Sequence, residues 1–560
     1  MLMLSSSNPL RRVSTVLVVA ATLSAAATAH AQTYRVNERP VRGAWLRPPS
    51  GVIADLTPHL NNLAAAGIED LYIETFYHGL TTGHAGIFNA RYPGDYLADA
   101  IRESARYGIR VHAWLESAYW QFGGTGAYNF TNHADWQIVS TATGATGGDN
   151  AGQVFANLAH SGVQAKLRDY CAELAEYPGL WGIQTDYHRY PLDDNTGDLY
   201  TAPWSYDVWS RTAFRNIYPG INIDTAARKP GDSHWTQFLA WRREGISQAA
   251  NQMHQGINSV DSDMTFSSAI FARAMLDSAQ LTKCQDWPSW ASRGFVDWLV
   301  PMAYGSSSNS ITSDINTTRS SASGKRVVAG LAITAGNHPS ITNQLNAIRS
   351  ASVEDFILFE GSILADAAKR TETLNWINAT GKKAQADFND DRIVDNRDWN
   401  LFRGVYNGTP VSGSGRNARY NFDGDSDVDA ADEARFVTEF IRDHFGDDGT
   451  VSAKDRAHFL EALAAGATGA PGFFHLYDLN ADGTVNAPDL VILNLLAPPP
   501  PCAPDFNNDG FLDGFDYDDF VTCFETGSCP PGTSADYNND TFVDGFDYDD
   551  FVTAFELGCR

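Results

Sequence analysis

The chain has 560 residues, which is too long for one ordinary domain and predicts two or three. Its formal net charge of −27 argues against nucleic acid as a partner, because nucleic-acid binding needs a basic surface. The acidic residues are concentrated in the last third of the chain in short runs rich in Asp and Asn, and this pattern indicates cation ligation.

The N-terminal segment has the layout of a signal peptide. Arg11 and Arg12 precede an apolar stretch over 13–29, and Ala29-His30-Ala31 fits a small-x-small cleavage site. Residues 1–31 are therefore predicted to be removed, so the mature protein is secreted or held at the cell surface. The alternative, a membrane anchor, is disfavoured because the stretch is short and rich in Ala. No later segment is apolar enough to span a bilayer.

From residue 32 to 383, short apolar runs alternate with amphipathic stretches that are typical of helices. The predicted strands are Arg42–Arg47, Asp70–Thr75, Arg110–Glu116, Gly182–Asp186, Met264–Phe271, Val296–Tyr304, Val327–Thr334 and Asp355–Gly361. The predicted helices Leu56–Ala66, Asp95–Tyr107 and Ala165–Tyr177 each precede a Gly, the usual residue after a helix. This α/β alternation predicts a parallel sheet and, with eight strands, a (β/α)8 TIM barrel. The alternative, a doubly wound open sheet, lacks support because no Gly-rich phosphate loop follows the first strand.

Several predicted strands end in carboxylates, which a TIM barrel gathers at one face. Glycoside hydrolysis needs two such groups, one to protonate the leaving oxygen and one to attack or activate water. Asp186 is the first candidate for the second role, since Arg189 nearby would hold it ionised and lower its pKa. Glu116 and Glu360 are candidates for the acid, and Glu74 comes next. A structural ion pair is the alternative for each Glu.

Other polar and aromatic residues near the strand ends are candidates for substrate binding. Indole and phenol rings stack on sugar faces, although Trp45 could equally fill the barrel, and the histidines could be satisfied polar residues. The candidates are Trp45, Glu74, His112, Trp114, Tyr187, His188, Arg189 and Tyr304.

These motifs, in this order, resemble the glycosyl hydrolase-like 10 family over about residues 40–370. The resemblance rests on Arg42-Gly-Ala-Trp-Leu46, His112-Ala-Trp114, Gly182-Ile-Gln-Thr-Asp186 through Tyr190-Pro191, Trp241-Arg-Arg243 and Pro301-Met-Ala-Tyr304. It implies a TIM barrel with glycoside hydrolase activity on polysaccharides, including bacterial cell-wall glycan, and an Asp at the position of Asp186. The chain departs from the family at Tyr187, where many members have a second Asp, and at Glu116, where members often have Asn.

Beyond residue 384 the chain contains five copies of a 12-residue pattern with oxygen-bearing side chains at positions 1, 3, 5, 9 and 12. This spacing is typical of a calcium-binding EF-hand loop, because Ca²⁺ takes six to eight oxygen ligands. The predicted ligands are Asp387, Asn389, Asp391, Asp395 and Asp398; Asn421, Asp423, Asp425, Asp429 and Asp432; Asp478, Asn480, Asp482, Asn486 and Asp489; Asp505, Asn507, Asp509, Asp513 and Asp516; and Asp536, Asn538, Asp540, Asp544 and Asp547.

Calcium is therefore predicted as a structural cofactor of these loops, with none required for catalysis. Val394, Val428 and Val543, at position 8 of their loops, are predicted to anchor each loop to a small core. The alternative is a set of solvated acidic turns, which the fivefold recurrence disfavours.

The repeats resemble dockerin domains, closely over 502–560 and loosely over 384–496, with a Pro-rich linker at 497–501. The resemblance implies small α-helical EF-hand-like modules that bind a cohesin-like protein. Four Cys lie in the tail (Cys502, Cys523, Cys529 and Cys559), and their spacing leaves three pairings open. Cys171 and Cys284 are predicted to be free buried thiols.

Two functions from different classes remain. The first is a secreted glycoside hydrolase tethered by its calcium-binding modules, and the second is a non-catalytic glycan-binding surface protein with the same tether. The carboxylates at several strand ends favour the enzyme. A purely structural surface protein would explain the repeats but not the motif at Asp186.

Overall fold

The computed structural model describes most of the chain after residue 39. The described residues are 40–122, 128–140, 144, 146–149, 152–191, 204–229, 231–262, 264–274, 283–380, 386, 388, 394, 396–414, 417, 420–422, 425–445, 451, 453–465, 477–480, 484–496, 504–507, 512–530, 533–537 and 542–557. The predicted signal peptide over 1–31 and the linker over 497–501 lie outside them. Within the described ranges, no helix has the length and apolar character needed to cross a membrane.

Parallel strands form a barrel in the first part of the chain. The strands are β1 Arg42–Leu46, β2 Asp70–Tyr77, β4 Arg110–Glu116, β7 Leu180–Asp186, β8 Thr265–Ile270, β9 Trp298–Pro301, β10 Arg326–Val327, β11 Ala329–Ala332 and β12 Phe356–Phe359. Neighbouring barrel strands pair in sequence order from β1 to β10, β11 pairs with β12, and β12 pairs with β1. All eight predicted strand regions lie in this sheet, which has the (β/α)8 form.

The seventh strand closes the barrel through a break at Val328. Its first half, β10, pairs with β9, whereas its second half, β11, pairs with β12. The backbone N–H of Val328 still donates to Leu299 O at 3.0 Å. The sequence predicted one continuous strand over Val327–Thr334, and the structure shows two short segments.

Helices connect the strands and cover the outside of the barrel. They are α1 Ile53–Ala65, α2 Tyr96–Ala105, α3 Ser161–Ala175, α4 Val208–Ile217, α5 Ile223–Ala226, α6 Trp235–Asn258, α7 Trp287–Arg293, α8 Ser308–Ser321, α9 Ile341–Ser350 and α10 Ala367–Thr380. Gly67, Gly108 and Gly179 follow α1, α2 and α3 with φ of 79°, 64° and 71°. This left-handed conformation favours Gly and turns the chain into the next strand.

Short strands extend the loops at the carboxyl ends of the barrel strands. They are β3 Leu80–Thr81, which pairs with β2, and β5 Tyr119–Phe122, which pairs with β6 Gln153–Phe155. Short 3₁₀ helices lie at Phe130–Asn132, Ala134–Trp136 and Gly361–Ala365.

Large side chains fill the interior of the barrel. One buried cluster contains Val41, Trp45, Tyr72, Trp114, Trp298, Val300, Val328 and Ile357. Gly182 makes room in it, because a Cβ at that position would lie 2.7 Å from His112 Nδ1. The interior is therefore a packed core. We call the opening of the barrel at the carboxyl ends of the strands the mouth, and the top layer of this core forms its floor.

We call the described residues of 386–496 the inner repeats. They contain α11 Asn396–Arg403, α12 Ala430–His444, α13 Ala453–Ala465 and α14 Ala487–Leu496, with a two-stranded sheet of β13 Val411–Ser412 and β14 Asp427–Val428. Nearly all of their buried apolar side chains belong to the same cluster as those around the barrel helices.

We call the described residues of 504–557 the C-terminal pair. Its helices are α15 Gly514–Thr526 and α16 Gly545–Leu557. Phe520 and Phe551 stack at a centroid distance of 3.9 Å in a core that is separate from the barrel cluster. A disulfide joins Cys523 to Cys529, whereas Cys502 and Cys559 lie outside the described residues. Cys171 and Cys284 are free and buried, as predicted.

Candidate active site and calcium loops

Carboxylates from three barrel strands converge on Arg47, which directly follows β1. Arg47 Nε donates to Glu74 Oε1 at 2.8 Å, and Arg47 Nη2 donates to Glu116 Oε1 at 3.2 Å. Arg47 Nη1 lies 3.5 Å from Glu360 Oε2. The structure thus brings together the three Glu residues that the sequence proposed, around a cation that sequence reasoning missed.

Asp186 lies beside Glu116, because the two are register partners on the adjacent strands β7 and β4. Asp186 Oδ1 accepts from the backbone N–H of Tyr187 at 2.6 Å, and Asp186 Oδ2 accepts from Trp114 Nε1 at 3.2 Å. The backbone carbonyl of Asp186 accepts from Ser117 N at 2.9 Å. These bonds hold the Asp186 carboxylate in one orientation at the floor of the mouth.

The alternation of side chains along a strand explains why these acids point inward. Tyr72 and Trp114 belong to the buried cluster inside the barrel, and each lies two residues before its carboxylate, Glu74 or Glu116. Side chains two apart on a strand share a face. The mouth carboxylates are therefore the uppermost layer of the same inward-facing rows.

Burial raises the pKa of two of the glutamates. The pKa of Glu116 lies well above its ordinary value because of burial, then because of the nearby charges of Glu74 and Asp186, although Arg47 acts in the opposite direction. Burial also raises the pKa of Glu74, against the influence of Arg47 and Arg91. Glu116 Oε2 is buried with no hydrogen-bond partner. Glu116 is thus the carboxyl best suited to carry a proton.

Arg189 acts to lower the pKa of Asp186, as expected, but the net pKa of Asp186 is nevertheless raised. Burial raises that pKa and outweighs the Tyr187 N–H, Arg189 and Trp114, which all favour the charged form. The Arg189 guanidinium makes its ion pair with Asp149 instead, with Arg189 Nη2 2.7 Å from Asp149 Oδ2. Arg189 is buried and holds the loop at Asp149.

Two other predicted substrate-binding residues, Trp45 and His112, lie inside the fold. Trp45 Nε1 donates to Gln184 Oε1 within the barrel core. His112 stacks on Tyr72 at 4.4 Å and lies near Asp70, at the amino end of the strands. Their positions support the structural alternatives and not substrate contact.

His188 is also fully buried. Its Nδ1 lies 3.0 Å from Ser117 Oγ, and its Nε2 lies 3.0 Å from the carbonyl of Ile246. Burial lowers the pKa of His188 to about 4. His188 is therefore a neutral structural residue that supports the strand ends below Asp186, and its predicted role as a substrate donor is not supported.

The remaining candidates surround the carboxylates. Trp114 is buried beneath Arg47, whose Cζ lies 5.0 Å from the ring centroid. Tyr304 is half-buried and stacks on Phe359 at 6.0 Å. Tyr187 is half-buried and lies 6.1 Å from Tyr119. Tyr187 and Tyr304 are the predicted aromatic residues that remain accessible at the mouth.

Sequence reasoning also missed Arg91 and Tyr77. Arg91 Nη1 lies 3.3 Å from Glu74 Oε2, and its Cζ lies 5.0 Å from the Tyr77 ring centroid. Strand β2 continues beyond Glu74 to Tyr77, so this ring stands above the carboxylates. The rule used for the acids, a polar residue directly after a strand, would have found Arg47 but not Arg91.

The predicted calcium-binding loops are described in part. At least one predicted ligand of every loop lies outside the described residues: Asp387, Asn389, Asp391, Asp395, Asp423, Asp482, Asp509, Asn538 and Asp540. Within the described ranges, no three His, Cys, Asp or Glu side chains form a group that could hold a metal ion.

The Asp at position 12 takes the same role in all five loops. Each is fully buried, and its Oδ1 accepts a backbone N–H from position 2 or 3 of its own loop; the five are Asp398, Asp432, Asp489, Asp516 and Asp547. In four of the loops Oδ2 also accepts the N–H of position 9. These hydrogen bonds join the beginning of each loop to position 12, whose carboxylate is of the oxygen type that Ca²⁺ prefers.

The predicted anchor at position 8 divides the loops into two groups. Val394 and Val428 are buried, as is Val485 at the same position of the third loop. Val543 is 53% exposed, so its prediction as a core anchor is wrong. The three inner loops thus bury their position-8 residue, whereas in the C-terminal pair Val543 is exposed and its counterpart Leu512 is half-buried.

A closed barrel whose mouth is lined by paired carboxylates is the arrangement typical of a glycoside hydrolase. Residues 79–346 match the family model described as glycosyl hydrolase-like 10. This range includes β4 and β7, the strands that carry Glu116 and Asp186. The barrel is therefore of the glycosidase-like kind. No curated protein matches the chain.

Several solved structures match part of the chain at low sequence identity. The catalytic domain of a beta-amylase from Paenibacillus polymyxa matches at 13% identity and a TM-score of 0.46, over 62% of this chain and 100% of that chain. A beta-galactosidase from the psychrophilic Marinomonas ef1 matches at 12% identity and a TM-score of 0.46, over 60% of this chain and 59% of that chain. A beta-galactosidase from Halorubrum lacusprofundi matches at 11% identity and a TM-score of 0.38, over 57% and 52%.

Proposed function

We propose that this chain is a secreted glycoside hydrolase that cleaves glycosidic bonds of a polysaccharide by two-carboxylate catalysis. Its calcium-binding repeats tether it to a cohesin-like protein. The observation that carries the catalytic part is the pair Glu116 and Asp186, register partners at the carboxyl ends of adjacent strands. The family match over residues 79–346 supports the same reaction class.

The two carboxyls have environments suited to different roles. Asp186 receives two N–H hydrogen bonds that favour its charged form, so it supplies the negative charge that attacks the anomeric carbon or takes a proton from water. Glu116, whose pKa is raised well above the ordinary value, supplies the proton for the leaving oxygen. This chemistry requires no metal ion in the mouth.

Glu360 is the alternative acid. Its side chain is 27% exposed, whereas that of Glu116 is 1% exposed, so Glu360 is easier for substrate to reach. Glu74 is held by both Arg47 and Arg91, and we assign it to positioning Arg47. Tyr187 and Tyr304 supply accessible rings for contact with sugar.

The tether is proposed from the loops of the C-terminal pair. Asp516 and Asp547 would bind Ca²⁺ together with the other oxygen ligands of their loops, and the ion would neutralise carboxylates that otherwise repel one another. Phe515 and Phe542 are each 69% exposed and offer apolar surface for a protein partner. The N-terminal segment supports export, and peptidoglycan strands are the first substrate to test.

The test is turnover by the full mature chain on a panel of polysaccharides, including peptidoglycan strands with and without stem peptides. New reducing ends are measured for the native protein, for Asp186→Asn, and for Asp169→Asn as a matched surface control. Release by the native protein and by the control, with loss in Asp186→Asn, supports the proposal. Binding to a glycan without release by any of the three proteins would instead identify the non-catalytic binding protein.

A further inference from the structure

The inner repeats share a core with the barrel. One cluster of buried apolar side chains runs from the barrel helices to Phe436, Phe459, Tyr477 and Leu493 of the inner repeats. The described residues of the C-terminal pair are absent from that cluster and form their own. The two sets of repeats, alike in sequence, are therefore packed differently.

Lys454 on α13 connects the inner repeats to the barrel by polar contacts. Its ammonium donates to the carbonyl of Ala175 and lies 3.2 Å from Asp261 Oδ2. Ala175 ends α3 just before β7, and Asp261 follows α6 just before β8. Both partners thus lie at the amino ends of the strands, on the barrel face opposite the carboxylates.

The position of Lys454 satisfies a requirement of α3. The last carbonyls of a helix lack partners within the helix and carry partial negative charge, so a cation there is stabilising. Helix α3 has no basic residue in its own last turn. Lys454 supplies that charge from the inner repeats, and its side chain is only 15% exposed.

His458 reinforces the same contact one helical turn later. Residues four apart on a helix lie on one face, so Lys454 and His458 approach the barrel together. His458 hydrogen-bonds to the backbone of Glu176, the residue that follows α3. Burial lowers the pKa of His458 to about 4, so the ring is neutral in this contact at neutral pH.

We propose that α13 is a docking helix that fixes the inner repeats to the amino-end face of the barrel. The inner repeats and barrel then unfold as one unit, and the C-terminal pair alone acts as an independent module. An ion bound by an inner loop would stabilise the barrel by linkage, because it binds only the folded state. This proposal does not depend on the reaction at the mouth.

Tryptophan fluorescence of the full mature chain provides the test. The chain has 14 Trp, of which Trp399 alone lies beyond residue 383, so the signal reports mainly on the barrel. We expect Lys454→Met to lower the midpoint of thermal unfolding by about 2–4 °C. Lys229→Met removes the same charge from an exposed site and should leave the midpoint unchanged.

Two further measurements test the same contact, and the second needs no substitution, so it holds even if Lys454→Met folds poorly. Asp261→Asn combined with Lys454→Met should cost less than the sum of the single changes, because residues in contact are coupled. In the native chain, amide hydrogen exchange of α13 and of β7 should respond equally to denaturant, whereas α15 should respond independently. An unchanged midpoint in Lys454→Met, or exchange of α13 in step with α15, would overturn the proposal.

Discussion

Glu116 and Asp186 occupy one register position on neighbouring parallel strands, and burial raises the pKa of both carboxyls. Adjacent strands lie only about 4.8 Å apart, so ionisation of one acid makes ionisation of the other less favourable. The pair therefore favours a state that holds a single proton, with one acid protonated and the other ionised. Acid-base chemistry on a glycosidic bond requires this combination.

Replacing Glu116 by Gln should separate its role from that of Asp186. On glycan, kcat should fall by about 10²–10⁴ because the leaving oxygen loses its proton donor. On an aryl glycoside with a good leaving group, which needs no proton, Glu116→Gln should retain most activity, whereas Asp186→Asn should lose it on both substrates. Steady-state rates on the two substrates provide the measurement.

Glu360→Gln is the matched comparison for that experiment. If the dependence on leaving group appears in Glu360→Gln and not in Glu116→Gln, then Glu360 is the acid and the assignment of Glu116 is wrong.

Replacing Arg47 by Met should destabilise the barrel more at pH 8 than at pH 5. The pKa of Glu116 is already raised, so the stability that its protonated form contributes is present at low pH and is lost as the pH rises. Without Arg47, the decrease in the free energy of unfolding between pH 5 and pH 8 should become larger, by up to about 3 kcal/mol. Solvent screening of the partly exposed guanidinium limits this increase. Urea unfolding at the two pH values measures it.

Arg91→Met provides the control, because it removes one partner of Glu74 and leaves Glu116 paired with Arg47. A destabilisation of Arg47→Met that is equal at both pH values would show that the charge of Glu116 has no part in it.

Acidification should destabilise the native barrel through His188. Its pKa is lowered to about 4, so the unfolded chain binds a proton more readily. The contribution of neutral His188 to the free energy of unfolding is fully present above the ordinary pKa of about 6.5. It falls by roughly 3 kcal/mol as the pH drops toward 4. His188→Gln, which can keep a donor to Ile246 O, should flatten this part of the pH profile; an unchanged slope would contradict the assignment.

The position-12 aspartates of the C-terminal pair should be required for calcium binding. Changing Asp516 and Asp547 to Ala removes a predicted ligand from each loop and the backbone hydrogen bonds that close it. We expect the ions bound by these two loops to be lost in equilibrium dialysis of the full chain. Asp518→Ala, at an exposed site on the same helix, should bind calcium normally, and equal binding by all three proteins would exclude these loops as sites.

The barrel strands could be predicted from sequence because each is a local apolar run followed by an amphipathic helix and often a Gly. The convergence at Arg47 could not, since it depends on closure of the barrel, which brings β1 beside β12. The partner of Arg189 could not either, because Asp149 lies 40 residues earlier in a loop. The sequence therefore predicts which residues lie at the strand ends, but not which of them form ion pairs with one another.

The repeats show the same limit. Val428 and Val543 hold the same position in similar loops, yet one is buried and the other exposed, because burial depends on what the loop packs against. The pairing of Cys523 with Cys529 was likewise one of three that the spacing allowed. The local sequence pattern predicts which kind of element forms, but not which other parts of the chain pack against that element.

The separate core of the C-terminal pair has a consequence for the history of such chains. A unit whose described apolar side chains pack only among themselves can be exchanged between genes without repacking the protein that receives it. The inner repeats lack this freedom, since losing them would uncover part of the barrel. Recombination would then be expected to cut on the C-terminal side of residue 496, so that one barrel could acquire different C-terminal modules over time.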